Sequence, residues 1–375
     1  MERRQKSIIF RDLDKKIVIL TGPRQVGKTT LAKSFASSWP DLQYLNFDSD
    51  ADRLLLLRQE WNRKSPLVVL DEYHKLKKWK TKIKGVFDTE GIPPRLLITG
   101  SARLDIYRRG GDSLAGRYFL HRLYPLSIAE LSEKQSPEKV LDQLMTFGGF
   151  PEPFLSQSEK SAKRWRKTHL ERIVRLDVQD LDPVRDIQTL LLLVALLRER
   201  VGSPISYKSL AEDIQISPHT VKRWIQILEN MYIIFSITPF HKNLARSILK
   251  EPKIYFYDTG QVKNEAGARL ENAIAVSLRK WLHYLEDTEG EETALHYIRD
   301  KEKREVDFAV FREGKLAFLL ETKYSDSALQ NPLLYYHRRL IPAQSLQLVH
   351  QLHQPKTVEG ISITSAGQWL SGLDI

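Results

Sequence analysis

A glycine-rich segment near the beginning of the chain restricts the fold more than any other feature. It reads VILTGPRQVGKTTLAKSFA from Val18 to Ala36 and contains the pattern Gly22-x-x-x-x-Gly27-Lys28-Thr29. A short apolar run typical of a buried parallel strand precedes it, and helical spacing follows it. Glycines let backbone N–H groups point at phosphate oxygens, and the start of a helix favours an anion. The order strand, loop and helix therefore predicts an α/β P-loop NTPase domain with a parallel sheet.

Individual side chains in this loop have separate predicted tasks. Lys28 can reach the β- and γ-phosphates of a nucleotide, and Thr29 can offer its hydroxyl to Mg²⁺. Arg24 contacts either a phosphate or a surface carboxylate, and the sequence leaves that choice open. We predict these nucleotide-binding residues: Gly22, Pro23, Arg24, Gln25, Val26, Gly27, Lys28, Thr29 and Thr30.

Two further strands are expected to end beside this loop. In SPLVVLDEYHK the strand Leu67 to Leu70 is followed by Asp71, which suits Mg²⁺, and Glu72, which suits the base that polarises the attacking water. In RLLITGSA, Thr99 and Ser101 end the next strand and either sense the γ-phosphate or form a simple turn. Parallel strands bind ligands at their carboxyl ends, so we expect all of these residues at one edge of the sheet.

Four segments in order resemble bacterial and archaeal AAA-type P-loop ATPases whose tail is a domain of unknown function. They are TGPRQVGKTTLAKSFA, LVVLDEYHK, LLITGSARL and DSLAGRYFLHRLYPLSIAEL, and the resemblance extends from about Ile17 to about Ala328. It implies an ASCE-type ATP site with Asp71 at Mg²⁺, Glu72 as the base and Ser101 as a polar sensor. In DEYHK the chain departs from relatives that often carry an apolar residue and Gln after the acidic pair.

Arg117, in LAGRYF, is a further catalytic candidate. An arginine finger, placed in cis or donated by a neighbouring subunit, stabilises the charge of the phosphoryl-transfer transition state. The alternative is an ion pair that holds a helix to the sheet. A finger donated in trans requires a homo-oligomer.

The middle of the chain has the pattern of a winged helix-turn-helix. Two helical segments, YKSLAEDIQIS and HTVKRWIQILENM, are joined by a turn in which Ser217 can cap the second helix, and the strand YIIFSITPF has the size of a wing. The second helix can enter a DNA major groove, although helix-turn-helix modules also bind proteins. The predicted DNA-binding residues are His219, Thr220, Lys222 and Arg223.

The tail resembles the PD-(D/E)XK restriction-endonuclease-like core. Asp307 lies in the strand VDFAVF, and Glu321 and Lys323 end the strand LAFLLETK on one face, with Val306 in place of the signature Pro. Glu271 would be the helical carboxylate of this site. Such a set can hold Mg²⁺ or Mn²⁺ and activate water against a phosphodiester, and the fold also serves as a DNA grip that does not cut.

Composition supports these predictions without deciding among them. The 375 residues carry 58 Lys and Arg against 47 Asp and Glu, a formal charge of +11 that favours a polyanionic partner such as nucleic acid. The chain has no cysteine, which excludes disulfides and thiolate zinc sites. The first residues do not form a signal peptide pattern and no apolar run reaches about 20 residues, so we expect a cytoplasmic protein without a membrane partner.

We predict four parts: an AAA-type ATPase core at 1–131, a helical linker or lid at 132–183, the winged helix-turn-helix at 184–245 and the nuclease-like α/β domain at 246–375. The leading functional hypothesis is an ATP-hydrolysing, DNA-binding ATPase with ATP and Mg²⁺ and, if the tail cuts DNA, a second Mg²⁺ or Mn²⁺. The rival hypothesis is a nucleotide-dependent regulatory switch that binds protein partners. A third is a structure-specific nuclease whose access ATP controls.

Overall fold

The chain divides into two compact units, Met1–Tyr124 and Pro125–Ile375. The computed structural model describes residues 3–92, 94–100, 114–133, 135–177, 186–241, 250–263 and 265–374. The division falls seven residues before the predicted end of the ATPase core at residue 131, so the second unit begins inside that predicted core.

 

The three parts predicted after the core share the second unit, and their boundaries at 183 and 245 stay predictions.

The first unit is built on a five-stranded parallel sheet. Its strands lie in the order β2-β3-β4-β1-β5. Because β4 stands between β1 and β3, the loop after β1 and the residues after β3 and β4 meet at one edge of the sheet. This confirms the prediction of an α/β domain on a parallel sheet. The strands are β1 (Ile17–Thr21), β2 (Gln43–Asn46), β3 (Leu67–Asp71), β4 (Arg95–Thr99) and β5 (Tyr118–Arg122).

Helices cover this sheet and bury its central strands. Every residue of β1 and β3 is buried, as a parallel sheet with two covered faces requires. On one face, alternate side chains of β1, β3 and β4 pack with Ile83 and Val86 of the helix Trp79–Glu90. The helices of this unit are Lys6–Asp12, Lys28–Ser34, Asp50–Arg58 and Trp79–Glu90, with short 3-10 turns at Phe35–Ser37 and Tyr73–Lys75.

Short helices open the second unit, and buried ion pairs attach them to its later part. Lys280 contacts Glu130 in the interior of this unit, and Arg166 Nε lies 3.0 Å from Asp258 Oδ2. The segment predicted as a linker or lid therefore packs, where it is described, into the unit that contains the tail. The helices are Ile128–Leu131, Pro137–Phe147, Pro151–Ser156 and Glu159–Arg172, followed by a π-helical turn at Ile173–Asp177.

The segment predicted as a helix-turn-helix follows in the same unit. Ser217 caps its second helix by accepting a hydrogen bond from the Thr220 backbone N–H at 3.1 Å, as the sequence predicts. Val221, Trp224 and Leu228 lie on the buried face of that helix. The helices are Ile187–Arg198, Tyr207–Ile214 and Pro218–Asn230.

The strand predicted as a wing belongs to the large sheet of the second unit. This eight-stranded mixed sheet has the order β12-β13-β11-β10-β9-β8-β6-β7, and β6 pairs with both β7 and β8. The helix-turn-helix and the tail are therefore joined by backbone hydrogen bonds. The strands are β6 (Ile234–Pro239), β7 (Lys253–Phe256), β8 (Thr293–Arg299), β9 (Glu305–Arg312), β10 (Lys315–Ser325), β11 (Gln344–Gln351), β12 (Lys356–Val358) and β13 (Ile361–Ser365).

One long helix fixes the edge strand β7 to the rest of the tail. Asn272 is fully buried, and its side chain accepts from Phe256 N at 2.8 Å and donates to Phe256 O at 2.9 Å. This clamp places the first turns of the long helix beside β7. The helices are Ala266–Glu289, Asn331–Leu340 and Ala366–Ser371, with a 3-10 turn at Thr259–Gln261. Within the described ranges, no helix is both long and apolar enough to cross a membrane.

Candidate functional site

The glycine-rich loop leaves β1 in a conformation that needs glycine at two places. Gly22 has φ of 141°, and a Cβ there would lie 2.2 Å from the Leu123 carbonyl oxygen. Gly27 has φ of 102° and precedes the helix Lys28–Ser34. Both angles lie in the region that favours glycine. The two glycines thus let the loop close against β5 and turn directly into the helix.

Lys28 is buried inside this loop. Its Nζ donates hydrogen bonds to the carbonyl oxygens of Gly22 at 3.0 Å and Pro23 at 2.6 Å. Burial lowers the pKa of Lys28 to about 8, although the carboxylates of Glu72 and Asp71 act in the opposite direction. The ammonium therefore faces the hollow of the loop, where it can exchange carbonyl partners for phosphate oxygens.

Asp71, at the end of β3, accepts hydrogen bonds from three other elements. Its Oδ2 accepts hydrogen bonds from the Thr29 hydroxyl at 2.8 Å and from the Tyr44 hydroxyl, and its Oδ1 accepts one from the Thr99 hydroxyl. These donors come from the first helical turn after the loop, from β2 and from β4. The structure thus brings together Thr29 and Asp71, which the sequence predicts as the Mg²⁺ ligands of the ATP site.

Glu72 follows Asp71 at a sharp turn. Its φ of 56° lies in the left-handed region, which costs a non-glycine residue about 1–3 kcal/mol and is often found at functional sites. Its Oε2 lies 3.4 Å from Lys75 Nζ and 3.8 Å from His74 Nε2. His74 also packs against Gly100, at the end of β4. Ser101, the predicted sensor, lies outside the described residues.

Two residues at this site escaped the sequence analysis. Tyr44 donates to Asp71, and Asn46 Nδ2 donates to the Tyr44 hydroxyl at 3.3 Å. Burial and the hydrogen bond to Asp71 raise the pKa of Tyr44, which keeps its proton on the phenol. Asn46 is paired with Asp71 in the register of β2 and β3. Only the strand order reveals this neighbourhood, because the sequence does not state that β2 lies beside β3.

The remaining predicted loop residues have varied surroundings. Val26 is buried, and its carbonyl oxygen accepts from Arg3 at 3.2 Å. Gln25 is exposed with φ of 59°, and Thr30 is exposed. Arg24 is half-buried, and its electrostatic effect is to lower the pKa of Lys28.

Arg117 lies at the amino-terminal end of the strands, opposite the end that carries the glycine-rich loop. Its carbonyl oxygen accepts a hydrogen bond from the backbone N–H of Ile17, which is the first residue of β1. The glycine-rich loop follows the last residue of β1, at the opposite end of the strand. Five residues of strand separate these ends by about 16 Å, more than an arginine side chain spans. Its guanidinium pairs with Asp88 at 2.5 and 3.1 Å. A finger in cis is therefore wrong for this geometry, and a role in trans stays a prediction.

The helix-turn-helix presents most of its predicted residues outward. His219, Lys222 and Arg223 are exposed. Thr220 is half-buried, and its hydroxyl lies 2.8 Å from the Ser217 hydroxyl in the cap of the helix. Thr220 thus has a local structural task, while the other three lie where a partner can reach them.

The tail brings its predicted acidic residues to one place, together with a buried lysine that the sequence analysis missed. Lys253 Nζ lies 3.1 Å from Glu271 Oε1 and 3.6 Å from Asp307 Oδ1. Burial, together with the nearby carboxylate of Asp307, raises the pKa of Glu321 to about 8. Lys323 Nζ donates to Glu321 Oε1 at 2.8 Å. Glu271, Asp307, Glu321, Lys323 and Lys253 form what we call the acidic cluster.

A metal ion does not fit the acidic cluster as it stands. Among the described residues, no three His, Asp or Glu side chains are arranged to hold a metal. Lys253 is a further obstacle, because its ammonium lies between carboxylates whose oxygens a hard cation would need at ~2.0–2.6 Å. The second Mg²⁺ or Mn²⁺ predicted for Glu271, Asp307 and Glu321 is therefore not supported.

Two protein-family models match parts of the chain. Residues 14–132 match the model of an AAA domain, and residues 138–271 match the model of a domain of unknown function. The first match covers the sheet, the glycine-rich loop and Asp71. The residues that form this site are therefore similar to an AAA domain, a class that generally uses ATP and Mg²⁺.

Individual proteins with similar sequences or folds share less than a third of their residues with this chain. An uncharacterized protein of Mycobacterium tuberculosis is 29% identical over 248 residues, which are 65% of this chain and 54% of the relative, so the chain spans about half of its length. An uncharacterized protein of Methanocaldococcus jannaschii is 24% identical over 356 residues, 83% of this chain and 77% of the relative. The solved Walker-type ATPase of Pyrococcus abyssi is 15% identical with a TM-score of 0.42, covering 70% of this chain and 94% of that one.

The lowered pKa of Lys28 predicts that nucleotide affinity depends on pH. Bound phosphate stabilises the ammonium, so binding takes up a proton above pH 8, and ADP affinity falls by about tenfold per pH unit there. Isothermal titration calorimetry between about pH 7 and pH 9 measures this affinity and the proton uptake. In Lys28→Arg the guanidinium stays charged, so its weaker affinity should not change with pH in this range. Equal slopes for both proteins would contradict the prediction.

Proposed function

We propose that this protein hydrolyses ATP in its first unit and uses the turnover to act on DNA through its second unit. The observation that carries the proposal is the hydrogen bond of 2.8 Å between Thr29 and Asp71, beside the buried Lys28. A hydroxyl and a carboxylate at this position are the pair that holds Mg²⁺ in P-loop ATPases. The match of residues 14–132 to an AAA domain supports the same reaction class.

In the proposed reaction, each residue has a defined task. Lys28 turns from the loop carbonyls to the β- and γ-phosphate oxygens, and Thr29 and Asp71 hold Mg²⁺. When bound, Mg²⁺ neutralises charge on the β- and γ-phosphates. Glu72 accepts a proton from water while the water oxygen bonds to the γ-phosphorus. The bond from that phosphorus to the bridging oxygen breaks, and its electron pair leaves with ADP.

The two central residues should have different mutant phenotypes. Glu72→Gln should bind ATP and lose about 10²- to 10⁴-fold in kcat, because the amide cannot accept the proton. Lys28→Ala should lose nucleotide binding as well, because the charge that faces the phosphates is gone. Phosphate release and a fluorescent nucleotide titration measure the two effects. Glu60→Gln, an exposed glutamate of the same unit, is the matched control and should keep the wild-type rate. A wild-type rate in Glu72→Gln would place the base elsewhere.

Arg117 is proposed to act only in trans, from a second copy of the chain. Arg117→Ala should then lower kcat by about 10³-fold or more, and mixing it with Glu72→Gln protein should restore part of the activity. Asp88→Asn is the matched control, because it breaks the same ion pair and keeps the guanidinium. If both variants lose activity equally and mixing restores none, the ion pair is structural and the finger is absent.

DNA binding is proposed for the exposed side of the helix Pro218–Asn230. Lys222 and Arg223 are exposed there while the opposite side is buried, which is the arrangement of a recognition helix. The charge of +11 favours a polyanion. If the second unit binds a protein instead, as in a regulatory switch, these cations should not produce a steep dependence on salt.

A double variant tests the DNA proposal. Lys222→Ala/Arg223→Ala should weaken duplex binding and lower the slope of log affinity against log salt by about 2, because two phosphate contacts are lost. Fluorescence anisotropy over a salt series measures both quantities. Lys163→Ala, an exposed lysine on another helix, is the control and should leave the slope unchanged. A slope that stays the same in the double variant favours the protein-partner hypothesis.

A further inference from the structure

The acidic cluster contains a cation of its own. Lys253 begins the edge strand β7, and its side chain is 1% exposed. Its Nζ lies 2.7 Å from Glu305 Oε1, 3.1 Å from Glu271 Oε1 and 3.6 Å from Asp307 Oδ1. Glu305 and Glu271 are within hydrogen-bonding distance of this ammonium, and Asp307 at 3.6 Å adds only electrostatic attraction. Lys253 is thus enclosed by opposite charge on several sides.

Glu271 and Asp307 also accept hydrogen bonds from other donors. Glu271 Oε1 accepts from the Tyr255 hydroxyl at 2.7 Å. Asp307 Oδ2 accepts from the backbone N–H of Thr322 at 2.8 Å and from its hydroxyl at 2.7 Å. A metal ion would have to displace several of these donors at once, and it would have to expel the ammonium, because two cations this close repel each other strongly.

The charge state of Lys253 agrees with this environment. Burial alone would lower the pKa of its ammonium, but the carboxylates of Glu271, Asp307 and Glu305 outweigh burial and raise the pKa above its usual value. A buried charge is tolerated when it is paired and hydrogen-bonded, and removing its partner is strongly destabilising.

We propose that Lys253 occupies the position of the metal cation in the acidic cluster, so that the tail of the native protein binds no divalent cation there and the site becomes a metal site only when Lys253 is removed. The three carboxylates that sequence patterns assign to a metal then serve an internal ion-pair network. On this view the tail can still contact nucleic acid, but it does not cut by metal-assisted chemistry. The inference does not depend on ATP hydrolysis in the first unit.

Mn²⁺ binding by the full chain without nucleotide tests the proposal. Asp71→Asn is present in every protein, so that the first unit contributes no carboxylate from its predicted Mg²⁺ site. Electron paramagnetic resonance of free Mn²⁺ counts the bound equivalents, and thermal unfolding follows folding. The compared proteins carry Asp71→Asn alone, or with Lys253→Met, Lys323→Met or Asp307→Asn, and a last one combines Lys253→Met with Asp307→Asn.

The expected result is a site that depends on the absence of one lysine. Lys253→Met should gain one Mn²⁺ equivalent, bound at least about tenfold more tightly than by the parent, and Mn²⁺ should raise its Tm. Adding Asp307→Asn should abolish that gain. Lys323→Met is the matched control: it removes the more exposed lysine of the cluster, leaves Lys253 in place and should gain no site.

Two results would overturn the proposal. One is a parent protein that already binds an equivalent of Mn²⁺ that Asp307→Asn removes, since the metal would then coexist with Lys253 or displace it. The other is a folded Lys253→Met protein that gains no Mn²⁺. If Lys253→Met does not fold even with Mn²⁺, the parent and its Asp307→Asn variant still decide: Asp307-dependent binding contradicts the proposal, and its absence supports it.

Discussion

The hydrogen bonds to Asp71 are the interaction on which the first unit's site depends. Three hydroxyls from separate elements, those of Thr29, Tyr44 and Thr99, converge on one carboxylate. This requires β3 to lie between β2 and β4, and β4 to lie beside β1, as the parallel order provides. The loop after β1 and its helix are held at the same edge. The sheet order, rather than the loop alone, thus makes a phosphate-binding turn part of a site with an acidic group.

The sequence predicts those parts of this site that depend on local order. A strand, a glycine-rich loop and a helix follow each other directly, so Lys28 and Thr29 can be assigned from spacing alone. Tyr44 could not be assigned, because its contact with Asp71 exists only through the lateral pairing of β2 with β3. Arg117 shows the same limit. Its motif suggests an arginine finger, but the register of β5 against β1 places Arg117 at the end of the strands opposite the glycine-rich loop.

In the tail, the sequence predicts which carboxylates approach each other but not what compensates their charge. The short strands β9 and β10 pair in an antiparallel way and carry Asp307 and Glu321 to a common place, as their alternation implies. Lys253 belongs to an otherwise ordinary strand segment, KIYF, and two strands separate β7 from β9 in the sheet order. No pattern in the sequence states that this side chain reaches Glu305, so the cation was missed.

Asp71 and the acidic cluster differ in the donors that surround them. Asp71 accepts from neutral hydroxyls, which can turn toward another partner without leaving a buried positive charge behind. The carboxylates of Glu271 and Asp307 surround an ammonium that has no exit to water, because its side chain is almost fully buried. Exchange of a hydroxyl for a metal ion removes no buried charge from the site, whereas exchange of a buried ammonium requires that a charge cross the protein interior. Acidic side chains thus suit the exchange of one cation for another in the first unit and a permanent ion pair in the second.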